Sequence, residues 1–284
     1  MPGALTALLA AVHHWMRNGR QVRFINALGA PSFRYLQRMD FFKLSGVDLP
    51  EDFMRHDAKG RFVPLHRVDG SLARRVDELS QRIAACVFPA QADLADPECT
   101  GSFDIVAYAV SELINNVIQH ARAPGFVSVQ RYPQKPFVCI GISDCGIGIR
   151  QSFAEGQPDF WTPAMTPLDA VRTALVPHAS SKAHLNPAWG GRTNEGVGLS
   201  MLKEITAGAH GVFTLGSGDG FFQANTLHKR PWPNEVQLLA PYQGTDCSVL
   251  LSKEKLGNHQ SLLLQAKRRL GLLQKDGAFD SLFI

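Results

Sequence analysis

Apolar positions first recur at helical spacing between Ala4 and Arg17, where Leu5, Leu8, Leu9, Val12 and Met16 mark a helix. Asn18-Gly19 interrupts it, and Gln21 to Asn26 alternates as a strand does. Pro31 opens a second helical stretch carrying Phe33, Leu36, Met39 and Phe42, which ends near Gly46. This order of helix, strand and helix predicts a small α/β piece. From Asp48 to Gly70 the chain turns to Pro, Gly and charge, the composition of a domain boundary.

Beyond Ser71 the pattern is richer. Leu72, Val76, Leu79, Ile83 and Val87 form a helical stripe, and a polar connection from Pro89 to Gly101 leads to a helix from Phe103 to about Ala121. Strands follow at Phe126–Tyr132 and Phe137–Ser143, joined through Pro133 and Pro136. The stretch from Ile149 to Glu195 is irregular apart from a short helix at Pro167–Leu175, and segments this long inside a domain are lids or binding loops. Another helix begins near Gly198, with strands at Val212–Leu215, Val236–Ala240 and Cys247–Leu251. From Glu254 to Ile284, leucines alternate with Lys267, Arg268 and Arg269 as an amphipathic helix, either docked on the domain or left as a partner-binding tail. The chain thus divides into 1–70, 71–253 and 254–284.

Composition narrows the class. With 284 residues, 45% apolar and 19% charged, the chain is globular and large enough for a substantial core. Twenty-nine basic against 25 acidic residues leave +4, too small and dispersed a charge to call for nucleic acid. No run approaches the roughly 20 apolar residues of a membrane span. The apolar run Leu5–Val12 lacks the preceding basic residues of a secretory signal. Cys86, Cys99, Cys139, Cys145 and Cys247 are scattered without a CxxC pair, so reduced thiols and a cytoplasmic location are expected.

Three segments carry chemistry. In Ser111-Glu112-Leu113-Ile114-Asn115-Asn116, Glu112 and Asn116 share a helical face, where a carboxylate and an amide oxygen can hold a divalent cation and orient a nucleophile. The bland alternative is an amphipathic helix with its polar residues in solvent. Asp144-Cys145-Gly146-Ile147-Gly148 follows a strand; its glycines admit a flat ligand against the backbone, and its carboxylate can accept from an exocyclic amine. The alternative there is a simple chain-reversing turn. Gly190 to Lys203 is a glycine-rich loop entering a helix, whose N–H groups suit phosphate. It lacks the tail of a Walker A loop and the third glycine of a dinucleotide fingerprint.

In order and spacing these segments resemble the GHKL ATPase superfamily, the Bergerat-fold group that includes histidine kinases, gyrase-type ATPases and MutL. Glu112–Asn116 resembles its N box, Asp144–Ile149 its G1 box, Gly196–Lys203 its G2 box, and Gly244-Thr245 its terminal Gly-Thr element; the likeness covers about residues 72–252. It implies an α+β fold, a two-layer α/β sandwich with a mixed sheet covered by helices, and the cofactors ATP and Mg²⁺. Asp144 would then bind the adenine amine with Thr245 beside it, and Gly146 and Gly148 would let the base lie close. Asn116 would supply an oxygen to Mg²⁺. Gly196, Gly198, Leu199 and Ser200 would wrap the phosphates, and residues 150–195 would form a lid offering Lys182 or Arg192.

Glu112 stands where two-component histidine kinases usually carry Asn, whereas gyrase-type ATPases and anti-sigma-factor serine kinases carry a Glu general base. The segment is closest in texture to the serine kinases. His120 reads as a helix-end packing residue. His13 and His14 lack the surroundings of a phosphoacceptor histidine. About 50 of the first 70 residues weakly resemble the back half of a STAS-type regulatory domain, pointing to a protein partner or substrate; a homodimer is a separate expectation. The expectation is an ATP-dependent regulatory kinase or ATPase; the alternative is a non-catalytic ATP-binding switch acting on a partner through lid closure.

Overall fold

The computed structural model describes residues 1–25, 27–88, 97–132, 134–181, 196–227, 234–256 and 259–272. Three helices come first: α1 (Pro2–Arg17), α2 (Phe33–Arg38) and α3 (Phe41–Leu44). β1 (Phe62–Val68) and α4 (Val76–Val87) precede α5 (Pro97–Asn116), which runs into a π-helical turn at Val117–Ala121. β2 (Gly125–Arg131), β3 (Phe137–Asp144), α6 (Gly148–Gly156), α7 (Pro167–Ala174) and α8 (Gly198–Gly208) follow. The long strands β4 (Val212–Asn225) and β5 (Glu235–Ser252) then lead to α9 (His259–Arg269).

The strands form one sheet in the order β1-β2-β3-β5-β4. The fold is α+β, a sheet layered with helices. Every described ladder is antiparallel, where a mixed sheet was expected. The connections explain the difference: β2–β3 and β4–β5 are hairpin neighbours, which pair antiparallel.

Strand alternation assigns each face. Val138, Ile140 and Ile142 on β3, with Cys247, Val249 and Leu251 on β5, join the main core beneath α4, α5, α8 and α9. The intervening positions face α1. There Phe126 and Leu65 pack with Leu5, Leu9, Val12, Phe41 and Phe42. The seat of α1 is unusually close, because a Cβ on Gly141 would collide with the backbone of Pro2 and Gly3. Residues 1–70, expected as a separate small piece, therefore contribute the edge strand β1 and the helix over the second sheet face.

Further expectations change. Residues 21–25 form no strand; Val22 and Phe24 instead pack their side chains into the second cluster without pairing to a neighbour. The helix expected from Pro31 divides at Asp40, whose left-handed backbone (φ 59) ends α2 and starts α3. Residues 149–156, read as irregular, belong to α6. The two short segments expected at Val212–Leu215 and Val236–Ala240 lie in much longer strands. α9 docks on α8 and α5, which selects the docked alternative for its described residues. Cys86, Cys139, Cys145 and Cys247 are free thiols.

Candidate functional site

A cleft opens between α5 and the sheet, bounded by α6 and the start of α8, and encloses about 880 Å³ including its mouth. Asn116, Asp144, Gly148, Gly196, Gly198, Leu199 and Thr245 all line it. Four separated stretches of sequence therefore meet in one place.

Each is placed by its element. Ile142 and Asp144 share the face of β3 turned toward α5, so the strand delivers Asp144 to the cleft floor at its last position. Asp144 Oδ1 accepts from the N–H of Gly146 at 2.8 Å and from that of Thr245 at 3.2 Å, tying β3 to β5. Burial pushes the Asp144 carboxyl up to about 7; these backbone bonds and the Thr245 hydroxyl oppose the rise, and nearby Asp246 adds to it. The Gly146 backbone lies so close to the Ala121 carbonyl that no Cβ fits between them. Gly148 turns through φ +74, and a Cβ there would meet Ser217 Oγ at 2.7 Å.

The opposite end of the cleft is the start of α8. Gly196 adopts φ +69, its carbonyl accepts from the His178 N–H at 3.1 Å, and Val197 supplies no side-chain cap to the helix. The first N–H groups of an α-helix have no intrahelical acceptor, so Gly198, Leu199 and Ser200 present donors beside the cleft. Ser200 turns its hydroxyl back to the Val197 carbonyl at 2.8 Å and does not line the cleft with its neighbours.

Asn116 lines the cleft with a buried Nδ2 that has no hydrogen-bond partner among the described residues. An unsatisfied buried N–H costs free energy, which a hydrogen-bond acceptor on a ligand would recover. Glu112, one helical turn earlier, is not among the lining residues; its carboxylate packs against Gly198, where a Cβ would collide with it. Burial pushes Glu112 up to about 7. Lys182 and Arg192 lie outside the described residues.

The structure adds a group the sequence left aside. His120 lines the cleft, its Nδ1 3.0 Å from Ser181 Oγ, and Ser152 Oγ donates to Ser181 Oγ at 3.0 Å. The signal for His120 was available, since 112, 116 and 120 lie at successive intervals of four on one helix. Nothing local marks Ser152 or Ser181, which come to it only through the folding of α6 and the segment after α7. His120 is therefore part of the cleft wall and not only a packing residue.

Comparison with family models, with curated proteins and with solved structures returns no match. Among the described residues no helix is long and apolar enough to cross a membrane.

Proposed function

We propose that the cleft binds Mg-ATP in the manner of the GHKL ATPases, and that the chain is a regulatory kinase or ATPase with Glu112 as general base. The observation that supports this most is the convergence on one cleft of Asn116, Asp144, Gly148, Gly196, Gly198, Leu199 and Thr245. The residues fit the ligand chemically. Asp144 is a buried carboxylate for an exocyclic amine, and the uncapped start of α8 suits phosphate. The unpartnered Asn116 Nδ2 is a donor suited to a phosphate oxygen, which leaves the amide oxygen as the atom for a metal.

Each residue then has a task. Asp144, held by the N–H groups of Gly146 and Thr245, orients the base. The N–H groups of Gly198, Leu199 and Ser200 hold phosphate oxygens. Asn116 would hold Mg²⁺, which when bound neutralises developing phosphate charge. Glu112 takes the proton from an attacking water or from a hydroxyl of a protein substrate; a base whose pKa lies near the working pH is suited to that role. Phosphoryl transfer depends chiefly on positioning and charge stabilisation, so this set suffices.

A second reading, a nucleotide-binding switch acting on a protein partner without turnover, draws support from Glu112 packing against Gly198 instead of lining the cleft. The two separate in one experiment. The chain is incubated with γ-labelled ATP and Mg²⁺, alone and with candidate protein substrates, and the label is followed into phosphate and protein. The kinase or ATPase reading expects label transfer that Glu112→Gln abolishes while ATP binding persists. Binding without transfer selects the switch, and no binding at millimolar ATP sinks both.

A further inference from the structure

The cleft has two chemically distinct ends. At one, Glu112 abuts Gly198 at the start of α8; at the other, Ala121 abuts Gly146 beside Asp144. The helix joining them rises about 1.5 Å per residue, which separates the ends by roughly 10–13 Å. A base at Asp144 and phosphates at α8 therefore leave the sugar in between, nearer the base.

Hydroxyl groups gather near that position. His120 immediately precedes Ala121, Ser152 stands on α6 one turn after Gly148, and Ser181 joins them. Ser181 is 9% exposed and lines the cleft. Its hydroxyl accepts from Ser152 and lies 3.0 Å from His120 Nδ1, to which it donates when the ring carries its proton on Nε2. A serine oxygen has two lone pairs, so in that tautomer Ser181 retains one further acceptor site, and Ser152 retains its own. Apolar side chains such as Leu113, Ile149 and Phe153 occupy much of the neighbouring wall. A hydrogen-bonding ligand atom placed there meets few other partners.

We propose that Ser152 and Ser181, held in register by His120, form a sugar-reading wall that accepts a hydrogen bond from the ribose 2′-hydroxyl and so selects ribonucleotides over 2′-deoxyribonucleotides. This rests on reading the cleft as an ATP site. Ser181 is the contact residue, and His120 is a positioning residue that fixes its rotor. A site built to bond a hydroxyl discriminates against the analogue lacking it, because its own polar groups are left unpaired.

Equilibrium binding of ATP and 2′-dATP to the full chain tests this. The unaltered chain binds ATP about tenfold more tightly, as one net hydrogen bond allows. Ser181→Ala brings the two affinities within about twofold by weakening ATP alone. Ser181→Thr, which keeps the hydroxyl, restores the preference, and His120→Leu reduces it while leaving 2′-dATP binding in place. Equal affinities in the unaltered chain overturn the proposal. So does a Ser181→Ala variant that loses ATP and 2′-dATP equally, the result expected if the serines only anchor the adjoining segment. Failure to bind either nucleotide is a different result, and it overturns the ATP reading itself.

Discussion

Burial sets the charge state of the carboxyls in and around this cleft. Asp246 pairs with Ser143, the neighbour of Asp144 on β3, so the two carboxyls lie on opposite faces of the sheet: Asp144 in the cleft, Asp246 accepting from Ser143 Oγ at 2.6 Å beneath α1. Burial raises Asp144 to about 7 and Asp246 to about 6 from an ordinary 3.8. The folded chain then keeps protons that the unfolded chain releases. The associated stability is complete below about pH 4 and is lost as pH rises through about 6–7. The ligand-free chain is expected to show a melting temperature that falls between about pH 5 and about pH 8. Asp246→Asn should flatten that slope, and a slope of the opposite sign would refute the assignment. Glu112, pushed to about 7, must be ionised to act as a base. Turnover should therefore rise with pH through a midpoint near 7, and Glu112→Gln should lower it by about 10²–10⁴ with ATP affinity retained. Asp144→Asn acts on binding instead. Loss of a charge-assisted hydrogen bond predicts ATP affinity lower by about tenfold to a hundredfold, read by calorimetry.

At the level of elements, the helices around the cleft are held by local devices whose strength can be measured. α7 begins with a capping box in which Thr166 Oγ1 accepts from the Asp169 N–H and Asp169 accepts from the Thr166 N–H, both at 3.1 Å. Thr166→Ala removes half of it, and urea unfolding should show a loss of about 1 kcal/mol. The π-helical turn at Val117–Ala121 is the second device. π-helical turns occur often at functional sites, and here the turn carries His120 into the cleft and Ala121 onto Gly146. Helical periodicity predicted the helix itself, because Ile105, Val106, Ala109, Val110, Leu113 and Ile114 bury one continuous face. The change of pitch at its end has no such signature, since it depends on what the last turn packs against.

The whole molecule depends on covering both faces of one sheet. α1 lies across β2, β3 and β5, and Gly3 and Gly141 let the backbones approach closely. Gly141→Ala should push α1 outward at a cost of about 1–3 kcal/mol, seen as a lower melting temperature. Removing residues 1–17 uncovers Phe126, Phe41 and Leu65 and should leave the chain aggregated; a soluble truncated chain with unchanged melting would contradict this account of the second face. The same coverage explains the first 70 residues. Their apolar positions show that the piece buries something, but the surface under α1 is built by β2, β3 and β5, which begin only at Gly125.

The sequence by itself determined the elements whose signal is local. These are α1, α4, α5, α7, α8 and the β2–β3 hairpin, together with the short motifs in which Asp144, Gly148, Gly198 and Asn116 stand. Periodicity and turn chemistry act over a few residues, so they can be read there. Tertiary structure alone decided that Asn116, Asp144, Gly196 and Thr245 share one cleft, that Glu112 turns to Gly198, and that His120 finds Ser181 and Ser152. It also decided that all the described ladders run antiparallel and that α1 seals the second face. These contacts join residues distant in the chain. Their free energy comes from burial and pairing across that distance, so no local pattern records it.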